Sequence, residues 1–282
     1  MITIKNKDVS VGISEKGAEI QSIKRGEVEY MWSRDPEFWT GSAPVMFPIC
    51  GGLKNGRYDF NGETYEMKKH GFARNSLFEV ESKTDTSVTF VLKDNEETRK
   101  IYPFAFAFRV IYELDGQSLK VTYDAENTGD KTMYCSFGAH EGYACPEGIE
   151  EYDVIFDKKE TLTAYGLNGD ILTDYTKLIM ENSDTLPLDD KYFVLDALVF
   201  RDVKSRSVTL KHRYSERFVK VDFDGFDYLL IWHKHTARYI CIEPWCGVQD
   251  VAGSGYNLTE KEGIHAVAQG KRLTRTHIIT VG

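Results

Sequence analysis

Runs in which apolar and polar side chains alternate recur from one end of this chain to the other. A period of two puts successive side chains on opposite faces of an extended strand, so each run can bury one face and wet the other. Ile2 and Ile4, then Val9, Val11 and Ile13, begin the series, and residues 17–23 continue it after a glycine turn. Later strand-like runs fall at 208–211, 218–221, 228–232, 239–242 and 277–281. Three hairpins are marked by their turns. Asn61-Gly62 joins 58–60 to 63–67, Asp115-Gly116 joins 106–112 to 119–123, and a turn around Asp85 joins 78–80 to 88–92. Asn-Gly accepts the positive φ angles of a type I′ turn, whose twist matches that of paired strands. Convincing amphipathic helices are nearly absent. Residues 173–180 are too short and mixed to assign, and the charged stretch 93–100 reads as a solvated turn. Many short strands at regular spacing predict an all-β sandwich or barrel-like architecture.

With 282 residues, 41% of them hydrophobic and 13% aromatic, the chain can build a large core without disulfide or metal staples. It shows no linker, low-complexity tract or fixed-period repeat, so 1–282 is expected to be a single domain. A formal charge of -9 disfavours nucleic acid and anionic membranes and leaves small molecules and proteins as the easier partners. Residues 1–7 carry no apolar signal core, and no apolar run approaches the ~18–20 residues of a membrane helix. The five cysteines form no C-x-x-C pair, which fits free thiols in a reducing cytoplasm.

Candidate chemistry gathers in three segments. Residues 44–52 run through a hairpin to His70-Gly71-Phe72-Ala73-Arg74, where His70 and Arg74 bracket a turn and can face one ligand. The plainer reading is a loop histidine with a surface arginine. His140, in Gly138-Ala139-His140-Glu141-Gly142, follows a strand among small residues and suits proton transfer near neutrality, unless it only bonds backbone. Glu243 ends an apolar strand directly before Pro244 and Trp245. Lost solvation there raises a carboxyl pKa and makes a better base, the alternative being a structural pair with Arg238. Trp245 offers an apolar face to a sugar ring. His233 and His235 share a strand face as metal ligands can, but lack a third ligand nearby, so no metal is expected. Gly253-Ser254-Gly255 reads as a loop, and no G-x-S-x-G elbow or cysteine–histidine nucleophile is evident.

Taken in order, Pro48 to Gly52, His70-Gly71-Phe72-Ala73-Arg74, Gly138-Ala139-His140 and Ile242-Glu243-Pro244-Trp245 resemble the aldose 1-epimerase (galactose mutarotase-like) family, most of all its shorter bacterial branch. The resemblance spans nearly the whole chain. It implies a large antiparallel β-sandwich, the supersandwich, with a sugar cleft on one concave sheet. It also implies an isomerase that interconverts the α and β anomers of a free sugar. Glu243 matches the base that takes the C1 hydroxyl proton, and His140 the acid that protonates the ring oxygen. His70, Arg74 and, less directly, Asp196 match residues that hold sugar oxygens, with Trp232 and Trp245 lining the pocket. No cofactor is implied. A small-molecule sugar is the expected partner, and a homodimer is left open.

Two positions depart from the branch. An arginine often follows the first glycine of the P-I-x-G segment, where this chain has Gly52, so that either Lys54 or Arg57 replaces it or the pocket lacks that contact. Glu141 stands where proline often follows the histidine, and is expected either to raise the His140 pKa or to face solvent. Arg74 with Lys54 or Arg57 makes a hexose-phosphate mutarotase the first alternative. Gly52 and Glu141 make a sugar-binding module with little or no catalysis the second. A glycosidase using Glu141 and Glu243 is the weakest.

Overall fold

The computed structural model describes residues 1–194 and 196–282. Its strands follow one another along the chain as β1 (Ile2–Lys5), β2 (Ser10–Ile13), β3 (Ile20–Arg25), β4 (Val28–Glu29), β5 (Arg57–Phe60), β6 (Glu63–Glu66), β7 (Glu79–Lys83), β8 (Ser87–Lys93), β9 (Phe106–Asp115), β10 (Ser118–Asn127), β11 (Met133–Cys135), β12 (Glu141–Ala144), β13 (Tyr152–Asn168), β14 (Ile171–Pro187), β15 (Leu198–Phe200), β16 (Ser207–His212), β17 (Phe218–Asp222), β18 (Tyr228–Trp232), β19 (Tyr239–Trp245), β20 (His265–Val267) and β21 (Arg272–Val281). The α-helix α1 covers Glu96–Ile101.

β1 to β4 make a four-stranded sheet. Thirteen strands share a second sheet in the order β12-β19-β18-β15-β13-β16-β17-β21-β10-β9-β8-β7, with β14 paired to β13. All its ladders are antiparallel. From β12 to β21 is seven strand steps, roughly 33 Å if the sheet were flat at ~4.7–4.9 Å per step. Yet Glu141 on β12 and His277 on β21 touch at 3.0 Å. The sheet therefore turns back over itself, and its two layers enclose the core. Phe47, Phe90, Phe106, Phe108, Tyr112, Tyr123 and Phe137 fill the space between them, with Phe47 stacked on Phe108 at a centroid distance of 4.2 Å.

The alternation predicts the strand faces well. On β19, Ile240 and Ile242 point into this core, while Cys241, Glu243 and Trp245 take the other face. Asn61 (φ 53°) and Gly62 (φ 85°) form the expected turn between β5 and β6. Two expectations need correction, and one unassigned stretch finds its place. The strand placed at 17–23 starts only at Ile20, because Gly17 and Ala18 turn with positive φ. Residues 93–100 are not a simple solvated turn. Asn95 caps α1 by accepting from the Glu97 and Thr98 amides, and the Thr98 hydroxyl accepts from the Asn95 amide, a reciprocal box that starts a helix. Residues 173–180 lie inside β14, one arm of a long hairpin with β13.

Candidate active site

His140 sits just before β12. The segment ahead of it is strung between two neighbours, since Met46 N–H donates to Gly138 O, Ala139 N–H to Pro244 O, and Cys246 N–H to Phe137 O. Gly138 is required there, because a Cβ would lie 2.7 Å from Trp245 Cδ1. Glu243 comes from β19, opposite Leu230 of β18. These two strands bring Glu243 Oε1 to 3.3 Å from His140 Nδ1, without the alignment of a hydrogen bond. Trp39 lies over the His140 ring at 5.2 Å, and Trp232 meets it edge-on at 5.6 Å. The suggested pairing of Glu243 with Arg238 does not occur, as Arg238 donates to Pro146 O.

Burial pushes these two groups in opposite directions. Glu243 is held well above the carboxylate range, first by desolvation and then by the charge of Glu141. Desolvation pulls His140 down to about 3, and the cations of Arg74 and Lys69 add to the effect. At neutral pH the pair holds one proton, favoured on the carboxyl. Such groups titrate as a unit.

His70 follows the β5–β6 hairpin at φ 66°, a left-handed conformation, with Gly71 next at φ 70°. A Cβ on Gly71 would meet Phe47 O at 2.2 Å, so only glycine lets the two chain segments approach. His70 Nδ1 accepts from the Gly51 amide, which leaves the ring proton on Nε2. Desolvation keeps this imidazole neutral. Arg74, on the 3-10 turn Ala73–Asn75, donates to Lys69 O. Lys54 and Arg57 do not replace the cation absent at Gly52. Lys54 Nζ donates to Ser254 O, and the two cations flank the Tyr256 ring, outside the cleft. The second cleft cation is Lys69, paired at 2.7 Å with Asp170.

All seven residues singled out from the sequence line one cleft of about 280 Å³: His70, Arg74, His140, Asp196, Trp232, Glu243 and Trp245. Asp196 holds φ 102° beside it, a costly conformation of the kind that clusters at ligand sites. Trp245 donates its indole N–H to Ala139 O. Sequence reasoning missed Lys69, Asp170, Gln249 and Trp39. The only signal for Lys69 was its place beside His70. Gln249 packs against Gly51 and leaves its buried Oε1 without a partner among the described residues.

Glu141 does neither thing expected of it. It is 2% exposed, faces the core and bonds His277 at 3.0 Å, so it misses both solvent and the His140 ring. His233 and His235 both reach Asp190, His233 also bonding Tyr239 O. Among the described residues, His140, Cys241 and Glu243 place ligand atoms within 4.8 Å of one another. Desolvation raises the pKa of both the Cys241 thiol and the Glu243 carboxyl. No helix among the described residues is long and apolar enough to cross a membrane.

The family model for aldose 1-epimerase matches residues 1–259. The chromosomal protein LacX of Lactococcus lactis subsp. lactis is 34% identical over 296 aligned positions, which cover 99% of each chain. A galactose mutarotase related enzyme from Lactobacillus acidophilus superposes with a TM-score of 0.93 at 37% identity, covering 100% of this chain and 97% of that one. A galactose mutarotase-like protein from Lactobacillus casei ATCC 334 gives 0.94 at 29% identity, with both chains covered completely.

Proposed function

The chain belongs to the aldose 1-epimerase family, and we propose that it interconverts the α and β anomers of a free, uncharged aldose by acid–base ring opening. The observation that carries the reading is the 3.3 Å approach of Glu243 Oε1 to His140 Nδ1 within the cleft. Its single proton can pass between the two groups, giving a carboxylate beside an imidazolium. Glu243 then takes the proton of the C1 hydroxyl as His140 protonates the ring oxygen, and the C1–O5 bond breaks to leave an aldehyde. Rotation about C1–C2 turns the other carbonyl face to O5. On closure His140 recovers its proton from the O5 hydroxyl, and Glu243 returns its proton to the former carbonyl oxygen. The two protein groups balance every proton, so the steps call on no cofactor.

The remaining lining residues suit a sugar. His70 Nε2–H and Arg74 donate to sugar oxygens, while Asp196 and the unpartnered Gln249 Oε1 accept from hydroxyls. Trp232 and Trp245 supply apolar surface for the ring. The charges cancel: Lys69 and Arg74 face Asp170 and Asp196, and the histidines and Glu243 are held neutral. Polarimetry on freshly dissolved α-glucose and α-galactose should show accelerated relaxation. Glu243→Gln should lower it by roughly 10²–10⁴-fold. Relaxation as fast in that variant as in the wild type would remove Glu243 from the chemistry.

A further inference from the structure

We infer that Asp170, clasped to Lys69 at the edge of the cleft, is a specificity-determining residue that selects uncharged sugars over phosphorylated ones. The inference rests on the mutarotase reading and names the substrate class of that site. Lys69 and Arg74 would together be a ready phosphate clamp, since two adjacent cations hold phosphate oxygens well. Asp170 removes one of them. Its carboxylate lies 2.7 Å from Lys69 Nζ and lines the same cleft.

The backbone of Asp170 is held by its neighbours, while its half-exposed carboxylate is directed by Lys69. It sits at the two-residue turn joining β13 to β14, where Asn168 pairs with Ile171. Its Cβ packs so closely on Gly52 that a Cβ there would stand 2.4 Å away. Gly52 is therefore less a missing side chain than the space into which Asp170 fits. Beyond the turn, Leu172 N–H donates to Asp250 O, Ala252 N–H to Leu172 O, and Asp250 N–H to Gly52 O. Asp250 is itself held by Lys261 and by the Lys54 amide. A phosphate entering to reach Lys69 thus meets the Asp170 carboxylate already paired with it. Two like charges at such close range repel one another, which disfavours the phosphorylated sugar. An uncharged sugar meets no such opposition.

The test compares glucose with glucose 6-phosphate in the intact protein. Anomer exchange is followed by NMR and affinity by calorimetry, for wild type, Asp170→Asn and Lys69→Ala/Asp170→Asn. Wild type should favour glucose. Asp170→Asn keeps the shape of the turn, removes the charge and frees Lys69, so the preference ratio should move toward the phosphate by roughly tenfold. The double variant should return most of that gain, because the freed cation is gone. An unchanged ratio in Asp170→Asn, or a wild type that favours the phosphate, overturns the inference. If no sugar shows accelerated exchange, the mutarotase reading fails, and the calorimetric ratio still decides the role of Asp170. A chain that binds neither sugar overturns both.

Discussion

Burial displaces Glu243 and His140 from their ordinary pKa values in opposite directions, and this fixes what a pH profile must look like. The active pair carries one proton. A second proton goes onto His140, which burial has lowered to about 3, and the last is lost only above the raised value of Glu243. The acid limb of kcat/KM is therefore expected near pH 3 and the alkaline limb above the carboxylate range. An acid limb near the ~6.5 of a free histidine would show that His140 is solvated and not part of the pair. Glu243→Gln should also stabilise the fold while slowing turnover. The folded pKa of Glu243 is raised, so its favourable contribution is complete below the unfolded value of ~4.3 and is lost as pH rises toward the folded one. Glutamine does not titrate, so the gain in Tm should be near zero at pH 4 and grow to a few degrees by pH 8. Equal gains at both pH values would contradict the shift. At this scale His70, His140, Arg74 and Glu243 were legible, because unusual residue types stood beside glycine, proline or tryptophan. Lys69 and Gln249 were not, since a lysine among lysines and a glutamine in a loop carry no pattern until the chain folds.

Turns and short elements decide whether these side chains face one another. His70 reaches the cleft because residues 70 and 71 both take positive φ and the chain presses on Phe47. Gly71→Ala is expected to cost about 1–3 kcal/mol or more from the conformational strain alone, with the clash added to it. It should also disturb the Gly51–His70 bond. Urea denaturation should show the stability loss and polarimetry a fall in rate. A fully stable, fully active alanine variant would mean that this approach can relax freely. The hairpins flanked by clear alternation were readable, but the β13–β14 hairpin was not, although Asn168-Gly169 marks its turn as plainly as Asn61-Gly62 marks another. The reason lies in β14, whose residues 174–178 are all exposed and leave no buried face to print a period of two. In α1 a single capping box outweighed the charge run that suggested a turn.

Strand faces are a local property, whereas strand neighbours belong to the whole molecule. The alternation along β10 and β21 shows which residues are buried, but nothing in it says that Tyr123 lies opposite Arg275. The same holds for the return of the large sheet over itself, which is marked by the Glu141–His277 contact between strands seven steps apart. Both residues are almost fully buried, and Glu141 Oε2 and His277 Nδ1 have no partners among the described residues, so each side chain depends on the other. Removing one leaves a polar group stranded between the layers, at about 1–3 kcal/mol or more. Glu141→Leu and His277→Phe should each destabilise by that amount, while the double variant, with no stranded group, should lose less than the sum. The expected coupling is roughly 0.5–3 kcal/mol by a double-mutant cycle in urea. The pair also reaches the chemistry, because the charge of Glu141 helps to hold the Glu243 pKa up. Glu141→Leu should therefore move the alkaline limb of the rate profile to lower pH, which loss of packing alone would not do. Additive stabilities together with an unmoved limb would reduce the contact to a chance neighbour, and the link between the closing of the sheet and the tuning of the base would be lost.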